Sequence, residues 1–228
     1  MNEAFTSRLS RPQAVAVLLW LPVHLLLLPF LAYFLLVGGL VSEAMANLLI
    51  YAVGAVYMLL VLHRFFRQDF DVFCDRPLRV LLLVFGAYWV SRFAETAIAL
   101  LLLELKLDSG NFNNESVIEM AKANLGPTAA MAVFLAPIVE ESLFRAGIFG
   151  LLRRKNRLLA YVVGVLVFGL YHVLAPALED PIQLLFILQY IPPTVALIWV
   201  YEKTNTVWSC IFLHMLVNGT AMLSIRLL

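Results

Sequence analysis

Charge is scarce in this sequence: 14% of its 228 residues are Asp, Glu, Lys or Arg, while 63% are hydrophobic. Soluble domains carry about a quarter charged residues, so a mean hydropathy of +0.91 argues against a water-soluble core. A net charge of +1 without a basic patch leaves nucleic acid no footprint. Cysteine is nearly absent. Cys74 falls in a predicted loop and Cys210 in a predicted span, with no CxxC motif, so a disulfide is not expected. Internal repeats and low-complexity tracts are also lacking. A single membrane domain over 1–228 is expected, with no room for a separate soluble domain.

What the chain has is long apolar runs. Seven stand out, at 13–39, 44–63, 78–104, 127–152, 158–176, 181–201 and 205–227. Each is close to the roughly 20 residues that cross a bilayer as a helix. The predicted fold is therefore all-α, a polytopic transmembrane bundle of about seven spans. Arg8 and Arg11 before the first run resemble a signal peptide, but the run is too long and has no small-residue cleavage site, so it reads as a retained span. Pro22, Pro29, Pro137, Pro192 and Pro193 lie inside spans and are candidate kinks.

Loop charge is asymmetric. Arg8, Arg11, Arg64, Arg67, Arg76, Arg79, Lys203 and the cluster at 153–157 put eleven of the 16 basic residues on one side. The other side has Lys106, Lys122 and Arg226 among Glu43, Glu104, Asp108, Glu115, Glu119, Glu179 and Asp180. Lys and Arg near span ends stay in the cytoplasm, so the N-terminus is expected inside and the C-terminus outside. The longest loop, 105–126, is polar and Asn-rich, and its triplet Asn114-Glu115-Ser116 reads as chance.

Ionisable residues interrupt the spans, among them Arg92, Glu95, Glu140, Glu141, Arg145, His172 and His214. An ionised group at a helix centre costs roughly 2.5–3.5 kcal/mol on insertion scales, so each needs a role. Arg92 and Glu95, three apart, read as a pair that neutralises itself. Glu141 and Arg145 are i, i+4 and pair on one helix face. That leaves Glu140 without a local partner, about 100° around the helix from Glu141, and suited to act as a general base. His172 shares a face with Phe168, four residues earlier. His214 and Asn218 share another face and can offer donors to an oxyanion. The bland alternatives are packing for His172 and interhelical hydrogen bonds for the rest, worth about 1 kcal/mol each. Taken together, Glu140 with His172 can hold and deprotonate a water, while His214 with Asn218 stabilises a tetrahedral intermediate. No serine or cysteine nucleophile is required.

In order and spacing, Glu140-Glu141-x-x-x-Arg145, Phe168-x-x-x-His172 and His214-x-x-x-Asn218 resemble the three motifs of the CPBP family. That family comprises CAAX-prenyl proteases and bacteriocin-processing enzymes (the Abi family), including type II CAAX prenyl endopeptidases. The resemblance covers about 127–222. It implies an intramembrane endopeptidase in which Glu140 activates water, with Glu141, Arg145 and Phe168 shaping the site. The implied substrate is a hydrophobic or lipidated peptide reached through membrane lipid. Family members have also been described as metalloproteases. Two His and a Glu can bind zinc, but HExxH is absent and the donors sit on three helices, so no cofactor is expected. GxSG and GxGD, the marks of serine and aspartyl intramembrane proteases, are absent too. Short loops suggest the plasma membrane of a prokaryote. The competing readings are a non-catalytic bacteriocin immunity or scaffold protein, which loss of a motif residue would favour, and an ion-coupled transporter, which paired broken spans in internal repeats would favour. Neither feature is found.

Overall fold

The computed structural model describes residues 5–105 and 110–227; Lys106 and Asp108 of the loop-charge pattern lie outside them. Among the described residues the regular structure is entirely helical. Helix α1 spans Arg11–Val37, α2 Glu43–Val61, α3 His63–Asp75, α4 Pro77–Glu104 and α5 Phe112–Ala123. A run of short α and π segments over 125–153 forms α6. Then come α7, Arg157–Glu179; α8, Pro181–Thr204; and α9, Val207–Leu227. Six of these, α1, α2, α4, α7, α8 and α9, are long and apolar enough to cross a membrane. Helix α6 corresponds to the fourth run of the sequence, and with it the bundle has about seven spans. Glu140, Glu141 and Arg145 near its centre lower its hydropathy.

The spans turn apolar side chains outward. Leu26, Phe30 and Phe34 of α1 and Trp89, Val90 and Phe93 of α4 are exposed. A soluble monomer rarely shows so broad an apolar surface, and a lipid-facing bundle needs it. Boundaries follow capping chemistry. Gly39 ends α1 with φ +64, a conformation open to glycine at little cost, and the Ser42 hydroxyl then accepts from the Met45 N–H to start α2. Pro22 is followed by a wider π turn at Val23–Leu27, and Pro29 just beyond it has no N–H to give the Leu25 carbonyl within that turn.

One end of the bundle gathers the basic segments. The Thr6 N–H donates to Asn205 Oδ1 at 2.7 Å, and Arg154 donates to the Leu9 carbonyl at 2.6 Å. Asp69 Oδ2 accepts from the Ser7 hydroxyl at 2.8 Å and the Val207 N–H at 2.7 Å. The N-terminal segment, α3 and the loops after α6 and α8 therefore share an end, as the charge asymmetry requires.

Two expectations are corrected. Cys74 is exposed within helix α3, not in a loop. The segment buries Phe65, Phe66 and Asp69 and turns its other charges outward, an amphipathic pattern too short and polar to register as a span. Likewise 105–126 is no plain loop. It contains α5, capped by the Asn111 side chain, which accepts from the Asn114 N–H. Helix α5 lies across the other end of the bundle. Asn111 Nδ2 donates to Gln189 Oε1 at 2.8 Å, Asn113 Nδ2 to the Tyr190 hydroxyl at 3.1 Å, and the Phe112 N–H to Gln183 Oε1 at 3.1 Å.

Candidate active site

Helix α6 carries the acidic pair where its winding changes. Pro137 supplies no N–H, and the Ser142 hydroxyl bonds back to the Ile138 carbonyl at 2.7 Å. Over Glu141–Phe149 the helix widens to π geometry, a distortion that recurs at functional sites. Two close approaches bring other helices to this region. A Cβ on Gly54 of α2 would lie 3.0 Å from Val139, the neighbour of Glu140. On Gly169 of α7 it would lie 2.5 Å from Ile187 of α8. Each glycine sits one turn from a residue at the site, Tyr51 and His172 respectively.

Glu141 and Arg145 pair as the spacing anticipates, Nε to Oε2 at 3.0 Å, with 0% and 1% of the two residues exposed. The guanidinium also lies 4.2 Å above the Phe168 ring, a cation–π contact that helps hold the charge out of water. Phe168 in turn packs against His172, centroids 4.6 Å apart, and His214 at 6.2 Å. The motif phenylalanine thus separates the buried arginine from the two imidazoles.

His214 lies between the two glutamates. Its Nδ1 is 2.7 Å from Glu141 Oε1, and its Nε2 is 3.9 Å from Glu140 Oε2. Glu141 is committed as a carboxylate to Arg145 and can only accept, so Nδ1 carries the hydrogen. Nε2 is left to face Glu140. His172 is oriented by the same logic: Nδ1 is 2.8 Å from the Phe168 carbonyl, so it donates there and Nε2 keeps its lone pair. Asn218 Nδ2 gives one hydrogen to the Ala132 carbonyl at 2.7 Å and retains a second.

Glu140 has no local partner, as its spacing anticipates, but it has a distant one. The Tyr51 hydroxyl of α2 donates to its Oε1 at 2.9 Å. Oε2 makes no hydrogen bond among the described residues. Sequence spacing had no means of finding a partner 89 residues away. It also missed Tyr171, Tyr190 and His24. Tyrosines are commonplace in apolar spans, but His24 carried a signal, since it is an ionisable residue inside the first run like His172 in the fifth. Tyr190 stacks on His172 with centroids 4.5 Å apart and planes 22° from parallel. Arg92 and Glu95 pair on α4, and Ser91 donates to Glu95 at 2.6 Å.

These groups share a cavity of about 980 Å³. Glu140, Phe168, His172, His214 and Asn218 line it, as do His24, Tyr51, Arg92 and Glu95. Glu141 and Arg145 stand behind its wall. Among the described residues, no three His, Cys, Asp or Glu side chains are grouped to hold a metal ion. Nδ1 of His214 and of His172 is spent on Glu141 and on the Phe168 carbonyl, which leaves Nε2 as the open nitrogen of each ring.

No curated protein and no solved structure matches the chain significantly. A family model does: type II CAAX prenyl endopeptidase Rce1-like, over residues 122–220. That stretch starts in α5 and ends in α9. It includes all three motifs and leaves α1 and α2 outside. Over 122–220 the chain is thus similar to the Rce1-like model, which describes a protease family, and this is consistent with the CPBP family that its motifs resemble.

Proposed function

We propose that this integral membrane protein is an intramembrane endopeptidase that hydrolyses a peptide bond in a membrane-associated peptide with a glutamate-activated water. The observation that carries the proposal is the state of Glu140. Glu140 lines the cavity; its Oε1 is held by Tyr51, while Oε2 is buried, makes no hydrogen bond among the described residues and lies 3.9 Å from His214 Nε2. A general base needs a lone pair committed to nothing else, within reach of the proton it takes.

In this mechanism a water donates to Glu140 Oε2 and to His172 Nε2. Glu140 takes its proton as the oxygen attacks the scissile carbonyl carbon. The developing oxyanion accepts from the second Asn218 hydrogen, and from His214 Nε2 when that ring is the imidazolium. Such preorganised donors are worth about 2.7–4 kcal/mol each in related chemistry. Glu140 then returns the proton to the leaving nitrogen as the C–N bond breaks, so protons balance without a cofactor. Glu141 and Arg145 hold His214 from behind the cavity wall. The site lies among the helices, which favours a prenylated or otherwise hydrophobic peptide arriving through lipid. Residence in the plasma membrane of a prokaryote belongs to the same proposal and rests on the short connections between spans.

The test is cleavage of a panel of hydrophobic and prenylated peptides by purified protein in detergent, with and without chelator. Glu140→Gln keeps the shape of the side chain but cannot take the proton, so it should lose at least about 100-fold in kcat while remaining folded. A mutant as active as the wild type would end the proposal, and inhibition by chelator would overturn the metal-free mechanism.

A further inference from the structure

The family match covers 122–220, yet the contacts of Glu140 extend beyond it. Tyr51 of α2 donates to Glu140 Oε1 at 2.9 Å. The Tyr51 oxygen is 2.7 Å from the Tyr171 hydroxyl of α7, and that hydroxyl is 3.4 Å from His24 Nε2 of α1. His24 is 3% exposed and its ring meets Tyr51 edge-on, centroids 5.0 Å apart. Four helices thus contribute one group each to a chain that ends on a single carboxylate oxygen.

The direction of the chain follows from the inventory of hydrogens. A phenol has one. Tyr51 spends its hydrogen on Glu140, so Tyr171 must donate to Tyr51. Tyr171 then has none left for His24, and any hydrogen bond across that longer gap is donated by Nε2. Every donor points toward Glu140, and a carboxylate is the natural last acceptor. Donors that are themselves polarised by a further donor bind more firmly, and α2 comes close to α6 beside this chain, where a Cβ on Gly54 would lie 3.0 Å from Val139.

We infer that Tyr51, backed by Tyr171, is a positioning residue for the general base: it holds Glu140 Oε1 so that Oε2 is directed at the water. The inference rests on the peptidase reading, and it assigns part of the site to the N-terminal spans. A carboxylate free to rotate would present either oxygen, and much of the time neither would face the water and His214. Misplacement of this kind is costly to rate and nearly neutral to substrate binding.

Tyr51→Phe removes one oxygen and keeps the ring. Where wild type cleaves a peptide and Glu140→Gln does not, Tyr51→Phe should lower kcat by roughly 10-fold or more, as loss of a hydrogen bond to a charged group implies, with KM within about twofold and the thermal midpoint near wild type. Tyr171→Phe should lower kcat less, again without a change in KM. Infrared difference spectra of wild type against Glu140→Gln identify the Glu140 carboxylate band, which Tyr51→Phe should displace whether or not a substrate is in hand. Unchanged kcat, a loss confined to KM, or an unmoved band would overturn the inference. If Tyr51→Phe fails to fold, Tyr171→Phe decides by the same two readouts. A wild type that cleaves nothing refutes the peptidase reading and the catalytic part of this one, while the infrared band separately decides the contact.

Discussion

Glu141→Ala should be among the most damaging single changes in the bundle, and more damaging than Arg145→Ala. Glu141 is 0% exposed and serves two partners, Arg145 Nε at 3.0 Å and His214 Nδ1 at 2.7 Å. Removing it strands a guanidinium that is 1% exposed. Breaking a buried ion pair from one side costs about 3–5 kcal/mol. The orphaned His214 donor adds about 1–3 kcal/mol, for a total of about 4–8 kcal/mol. Whole-protein stabilities are about 5–15 kcal/mol, so much of the mutant should be unfolded. Arg145→Ala leaves Glu141 with His214 still in place and should cost only the first of these amounts. Replacing both residues by leucine removes both charges together, so the double mutant should be less damaged than the sum of the singles. The assay is folded yield by size exclusion and thermal unfolding in detergent. Wild-type stability in either alanine mutant, or Arg145→Ala proving the worse, would refute the reasoning.

Three further outcomes are expected. Burial raises the Asp69 carboxyl from 3.8 to about 7, against the opposing hydrogen bonds from the Val207 N–H and the Ser7 hydroxyl. Between those values the folded state binds more protons than the unfolded one, so this group's contribution to stability falls as pH rises from about 4 to 7. Asp69→Asn should flatten that part of a pH series of thermal midpoints, and an unaltered slope would contradict the assignment. Gly169→Ala would place a Cβ 2.5 Å from Ile187 Cγ1, so α7 and α8 must part, at about 1–3 kcal/mol; unchanged stability and cleavage would show that the approach is slack. Reporter fusions after Arg157 and after Asp180 should report opposite compartments, cytoplasmic for the first, and the same compartment for both would sink the topology.

Much of the site was readable because membrane spans make polar residues conspicuous. Glu140, Glu141, Arg145, His172, His214 and Asn218 each stand out against an apolar background, and i, i+4 spacing alone is enough to put Glu141 with Arg145. The same rule applied to the first run would have flagged His24. Helices α3 and α5 read as loops because hydropathy windows search for spans and pass over short amphipathic segments.

The all-helical bundle, the clustering of basic segments at one end and the three motifs follow from the sequence, since each rests on composition or on spacing within one helix. That His214 turns Nδ1 to Glu141 and Nε2 to Glu140, that Asn218 spends one hydrogen on Ala132 and that Glu140 is held by Tyr51 emerge from the packing of the helices. The reason is physical. Helical periodicity dictates which neighbours share a face, whereas the meeting of residues from different spans depends on how closely the helices approach, and here Gly54 and Gly169 set that approach.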